Sequence, residues 1–151
     1  MEKEKQLKFI TIEGGDGAGK STFIPFIKDY LEGMGEEVVL TREPGGTALG
    51  ERLRDLLLSH KMDLNAETLL MFAARAQHMS QVIEPALQAG KWVLCDRFTD
   101  STYAYQGGEH PHVKPLIREL ENKVQEGLQP DLTLLFDLPV EVTRQRLAGT
   151  G

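Results

Sequence analysis

The octapeptide Gly14-Gly15-Asp16-Gly17-Ala18-Gly19-Lys20-Ser21 constrains this chain more than any other segment, because it fits the spacing G-x-x-x-x-G-K-[ST]. Glycines at those positions let backbone N–H groups turn inward around phosphate oxygens. Lys20 adds a cation for the β- and γ-phosphates, and the Ser21 hydroxyl is a ligand for Mg2+. The stretch that follows reads as a helix, which points its free N–H groups and positive dipole end at the same anion. A glycine-rich turn that binds nothing is the competing reading. The apolar run before the loop and the helical pattern after it argue against that reading.

The same alternation continues along the chain. Four apolar runs, at 9–12, 38–41, 92–95 and 132–136, are nearly continuous rather than alternating, as in strands buried on both faces. Helical patterns occupy 21–34, 49–60, 66–89 and 113–125. The first places Phe23, Phe26, Ile27, Tyr30 and Leu31 on one face and closes at Gly33 and Gly35, and the third carries Pro85 near its end. The order β-α-β-α-α-β-α-β predicts an α/β protein: a three-layer P-loop NTPase fold, its mostly parallel central sheet flanked by helices. One domain over 1–151 is expected. A helix begins at 140–147 and the sequence stops at Ala148-Gly149-Thr150-Gly151, so a C-terminal part is expected to be missing.

Composition narrows the partners. The net charge of −6 builds no basic face, so no nucleic-acid partner is expected. No apolar stretch is long enough to span a bilayer, and the first residues lack a signal-peptide pattern. Cys95 is the single cysteine, which excludes an intrachain disulfide and fits a reducing, cytoplasmic location. The mixed charges of residues 2–5 read as a solvated terminus.

A phosphate loop alone does not choose among GTPases, motor ATPases and small-molecule kinases. A switch GTPase would carry a later Asn-Lys-x-Asp, which is absent. Instead, polar residues gather after the strands, where open α/β sheets bind ligands. Thr41-Arg42-Glu43-Pro44-Gly45-Gly46-Thr47 follows the second, and Asp96-Arg97-Phe98 with Ala104-Tyr105-Gln106-Gly107 follows the third. Phe72-Ala73-Ala74-Arg75 lies on the helix between them. Over about residues 9–146 these segments closely resemble the bacterial thymidylate kinases, which use ATP to convert dTMP to dTDP.

That resemblance implies roles. The ATP-binding loop is Gly14, Gly15, Asp16, Gly17, Ala18, Gly19, Lys20, Ser21 and Thr22. For dTMP, Phe72 is the residue that stacks on the base and Arg75 donates to a ring carbonyl. Phe72 as core and Arg75 as a surface cation is the alternative, and Met71 is a second candidate for the base neighbour. Arg97 grips the acceptor phosphate and Arg54 assists, unless Arg54 only pairs with Glu51 on the helix surface. Thr102 and Gln106 meet the pyrimidine edge, Tyr105 crowds the sugar 2′ position, and Glu43 is a further acceptor-site carboxylate before a candidate cis Pro44. Asp16 faces the acceptor sugar, its 3′-hydroxyl in particular. Lys20, Arg97 and Asp16 form the catalytic set. Ser21 and Asp96 serve Mg2+, with Asp96 as an orienter of Arg97 the other option. A homodimer through the helices is implied too. Gly17 stands where some relatives carry a P-loop arginine, which shifts that role to a lid beginning near Arg144 and Arg146. Thr150 departs from relatives that have a second lid arginine. A kinase for another small nucleotide or nucleoside, or a non-catalytic nucleotide-binding module, remains the alternative. Glu109-His110-Pro111-His112 reads as a solvated turn rather than a metal clip.

Overall fold

Continuous apolar strands need cover on both faces, and here helices supply it for the central strands at 9–13 and 92–96, while Leu40, Leu132 and Leu135 of the outer strands stay exposed. The computed structural model describes residues 7–15, 17–137 and 140–148. In chain order the elements are β1 (Phe9–Glu13), α1 (Lys20–Gly33), β2 (Val38–Arg42), α2 (Ala48–Ser59), α3 (Leu64–His78) and a π-helical turn (Met79–Ile83). There follow α4 (Glu84–Gln88), β3 (Trp92–Asp96), α5 (Thr99–Tyr105), a 3-10 turn (Pro111–Val113), α6 (Lys114–Gln125), β4 (Leu132–Leu135) and α7 (Val140–Ala148). All strand pairings are parallel and the sheet order is β2-β3-β1-β4.

Alternate strand residues serve opposite layers. Phe9, Val93 and Cys95 pack against Met79, Ile83 and Ala86, while Ile10 and Leu94 pack against Leu31 of α1. The sheet therefore lies between two helical layers, as the strand pattern predicts. Ile12 is in register with Asp96. The loops after β1 and β3 thus leave the sheet side by side, at the point where the chain's crossovers diverge. Asp131 fixes the far end of β1 by accepting from the N–H groups of Lys8 and Phe9.

Three local features depart from the sequence expectation. On α1, Ile24 and Leu31 face the sheet while Phe23, Phe26 and Tyr30 are exposed. The inward stripe is centred on Ile24, Ile27 and Leu31, and Phe23 turns instead to Phe136, ring to ring at 5.3 Å. The helix ends as expected: Gly35 adopts φ 86°, and Glu36 N–H donates to the Leu31 carbonyl in a Schellman arrangement. The expected continuous helix over 66–89 is interrupted by the π-helical turn. Pro85 has no N–H to give and crowds the preceding turn, and the wider ladder, with Glu84 N–H donating to the Met79 carbonyl, opens just before it. The short helix α5 had no periodic signature in the sequence.

Candidate active site

The phosphate loop is shaped by glycine. Gly14, Gly17 and Gly19 have φ of 146°, 81° and 99°, a region that side chains rarely enter. A Cβ on Gly14 would stand 2.6 Å from the Phe136 carbonyl oxygen. Lys20 opens α1 and is buried, with its ammonium 2.9 Å from Asp96 Oδ1 at the end of β3. Ser21 and Thr22 are exposed on the same first turn. Asp96, expected beside Mg2+ or as an orienter of Arg97, thus forms a direct ion pair with Lys20. Asp16 and Thr150 lie outside the described residues, as does the side chain of Arg146.

The next residue, Arg97, has φ 68°, a left-handed conformation that costs a non-glycine residue about 1 kcal/mol or more. Its N–H is tied to the Ile12 carbonyl, and its guanidinium lies 5.2 Å from the ring centroid of exposed Tyr105. A cavity of about 310 Å³ opens here, with Glu43, Met71, Arg97, Tyr105 and Gln106 on its wall. Arg54 of α2 reaches the rim by donating from Nη1 to the Pro44 carbonyl, after a cis Glu43–Pro44 bond. Glu51, its partner on the competing reading, is engaged by Arg42 at 2.7 Å. The Arg42 guanidinium and the Gly46 N–H hold the Glu51 carboxyl down at about 2.

Behind the cavity runs a buried polar network. Arg75 is 1% exposed; Nε donates to Glu43 Oε1 at 2.6 Å and Nη2 to Thr102 Oγ1 at 2.8 Å. Nη1 of Arg75 and Oε1 of Gln106 are buried with no hydrogen-bond partner among the described residues. Such groups are costly when left unmet. Two of the expected contacts are displaced. Phe72 is 2% exposed, packs with Val113 and Ile117, and lies 4.9 Å beneath the Arg75 guanidinium. Met71, at i−4 from Arg75 instead of i−3, takes the place on the cavity wall. Thr102 is fully buried, and its hydroxyl accepts from Arg75 Nη2.

Two participants escaped the sequence reading. Glu13 ends β1 immediately before the loop; its carboxylate accepts from Phe98 N–H at 2.7 Å and from the Ser101 hydroxyl. Burial pushes this carboxyl up, and the bonds from Ser101 and Phe98 pull part of the way back. It joins the phosphate loop to the start of α5. His78 is the other, and its signal was present: Thr41 and Glu43 share one side of an extended segment, Arg75 and His78 one side of a helix. Among the described residues no group of three or more His, Cys, Asp or Glu side chains could hold a metal. His110 and His112 are exposed and pack ring to ring.

A phosphate loop on one strand end and an arginine-lined cavity on its neighbour define a P-loop kinase with separate donor and acceptor sites. The thymidylate kinase family model matches residues 12–151. The thymidylate kinase of Chromobacterium violaceum is 61% identical over 95% of this chain and 68% of its own length, and that of Bordetella petrii is 60% identical over 93% and 68%. The crystal structure of thymidylate kinase from Ehrlichia chaffeensis superimposes with a TM-score of 0.81 at 40% identity, over 94% of this chain and 82% of that one. The chain belongs to the thymidylate kinase family.

Proposed function

We propose that this chain transfers the γ-phosphoryl group of ATP to dTMP, giving dTDP. The observation that carries the reading is the adjacency of two sites: a loop for donor phosphates, and a cavity with Arg97 on its wall, Arg54 at its rim and the unmet Oε1 of Gln106 in its lining. The acceptor phosphate is ionised at neutral pH, so the reaction needs in-line placement and surrounding cations more than a base. Lys20 holds the donor phosphates. Arg97 and Arg54 clamp the acceptor phosphate, which suits a guanidinium fork.

For the base, Met71 supplies the apolar face, Arg75 Nη1 a donor and Gln106 Oε1 an acceptor, a set matched to a pyrimidine with carbonyl and imide N–H groups. Tyr105 crowds the sugar. Asp16 belongs to the same proposal as the carboxylate that meets the 3′-hydroxyl. Ser21 and Asp96 are hard oxygen donors of the kind Mg2+ takes alongside nucleotide phosphates. When bound with ATP, the ion neutralises charge on the β- and γ-phosphates. A homodimer and a cytoplasmic setting complete the proposal. Exposed Leu49, Leu56 and Leu69 on α2 and α3 support the first. The net charge of −6 supports the absence of a nucleic-acid partner.

Competition among dTMP, dUMP, dGMP and thymidine, read as binding and as ATP-dependent product formation, tests this reading. dTMP is expected to be the preferred acceptor and ligand; if it were the weakest, the assignment would fail.

A further inference from the structure

His78 closes α3 just before the π-helical turn and is fully buried. Both imidazole nitrogens are engaged: Nδ1 is 2.7 Å from Glu43 Oε2, and Nε2 is 2.6 Å from Thr41 Oγ1. An ionised carboxylate only accepts, so Nδ1 carries the proton and donates to it. In the neutral ring Nε2 then accepts the Thr41 hydroxyl. The loop after β2 makes room for the ring. Gly46 has φ 81°, and a Cβ there would stand 2.5 Å from His78 Cδ2 and Nε2. Glu43 is 3% exposed, and its other oxygen takes Arg75 Nε at 2.6 Å.

We infer that His78 is a positioning residue for the acceptor base, because its Nδ1–H occupies the Glu43 oxygen that Arg75 leaves and so fixes the guanidinium with Nη1 uncommitted. The role rests on the reading of the cavity as a dTMP site. Without the imidazole donor, Glu43 Oε2 is a buried acceptor in want of a partner, beside the guanidinium that already serves Oε1. The carboxylate then closes on the Nε–Nη2 edge of Arg75 as a two-point fork, which draws Nη2 from Thr102 and swings Nη1 off its line to the base carbonyl. ATP, held by the loop after β1, makes no use of this network.

Titration calorimetry on the full chain, with dTMP and ATP as separate probes, decides the matter. His78→Gln places an amide near the Nε2 position and leaves Glu43 unserved. His78→Asn places an amide N–H near Nδ1. In His78→Gln, dTMP affinity is expected to fall about tenfold while ATP affinity stays within about twofold, and His78→Asn is expected to recover most of the loss. If His78→Gln does not fold, Thr41→Val carries the test: it frees the far side of the ring, and dTMP alone should weaken. Unchanged dTMP affinity, equal weakening of both nucleotides, or His78→Asn as weak as His78→Gln would each overturn the role. A wild-type chain that binds ATP and not dTMP would instead withdraw the acceptor reading, and this role with it.

Discussion

A guanidinium as deeply buried as that of Arg75 persists only where acceptors and aromatic faces replace its water. Glu43, Thr102 and the rings of Phe72 and Phe98 do so here. The neighbours Met71 and Phe72 consequently have separable roles. Phe72→Ala removes the platform under Arg75 and should cost about 3–5 kcal/mol in denaturant unfolding. Met71→Ala should cost less stability and weaken dTMP several-fold with ATP unaffected; calorimetry in parallel with unfolding checks both. Glu51 has its own signature. Its carboxyl lies at about 2, below the ordinary 4.5, so its contribution is complete above about pH 4.5 and is lost as pH falls through about 2. Glu51→Gln should therefore lower the Tm at neutral pH, with the gap to wild type closing across that acid window. The side chain is 43% exposed, so solvent screening limits the effect to at most about 1 kcal/mol.

Helices α1, α2 and α3 begin where a glycine or a side chain makes them begin. Thr47 caps α2 by accepting the Gly50 N–H at 2.9 Å, and Asp63 caps α3 through Asn65 N–H. Thr47→Ala should cost about 1 kcal/mol of unfolding free energy. Because α2 carries Arg54, it should also loosen dTMP more than ATP, which paired titrations would reveal. Most of these elements were legible in the sequence, because strands of a parallel sheet are written as unbroken apolar runs and helices as longer periodic ones. What was illegible depends on tertiary partners. The α5 helix is held by Glu13 from another strand, through Phe98 and Ser101, so no window around Thr99–Tyr105 announces it. On α1, two apolar stripes lie side by side, and only the position of the sheet decides that Ile24 and Leu31 point inward while Phe26 does not. The site divides in the same way: loop residues were readable from spacing, whereas the buried Thr41–His78–Glu43–Arg75 chain joins residues up to 37 positions apart.

At the scale of the molecule, the β2-β3-β1-β4 order explains why residues far apart in sequence share one chemistry. It makes β1 and β3 neighbours, and so brings Lys20 to Asp96 across 76 residues. That ion pair has a consequence for the order of events. On the proposed roles of Lys20 and Asp96, the donor site behaves as an ion exchanger already loaded with its own counterions, and a ligand enters cheaply only by bringing an anion for Lys20 and a cation for Asp96 together. Nucleotide stripped of its metal supplies half of the exchange and strands a carboxylate beside the triphosphate. Asp96→Asn should accordingly bind ATP in chelator more tightly than the wild type does. With Mg2+ present the ranking should invert, so that a residue needed for the loaded site serves beforehand as a gatekeeper against the wrong salt form.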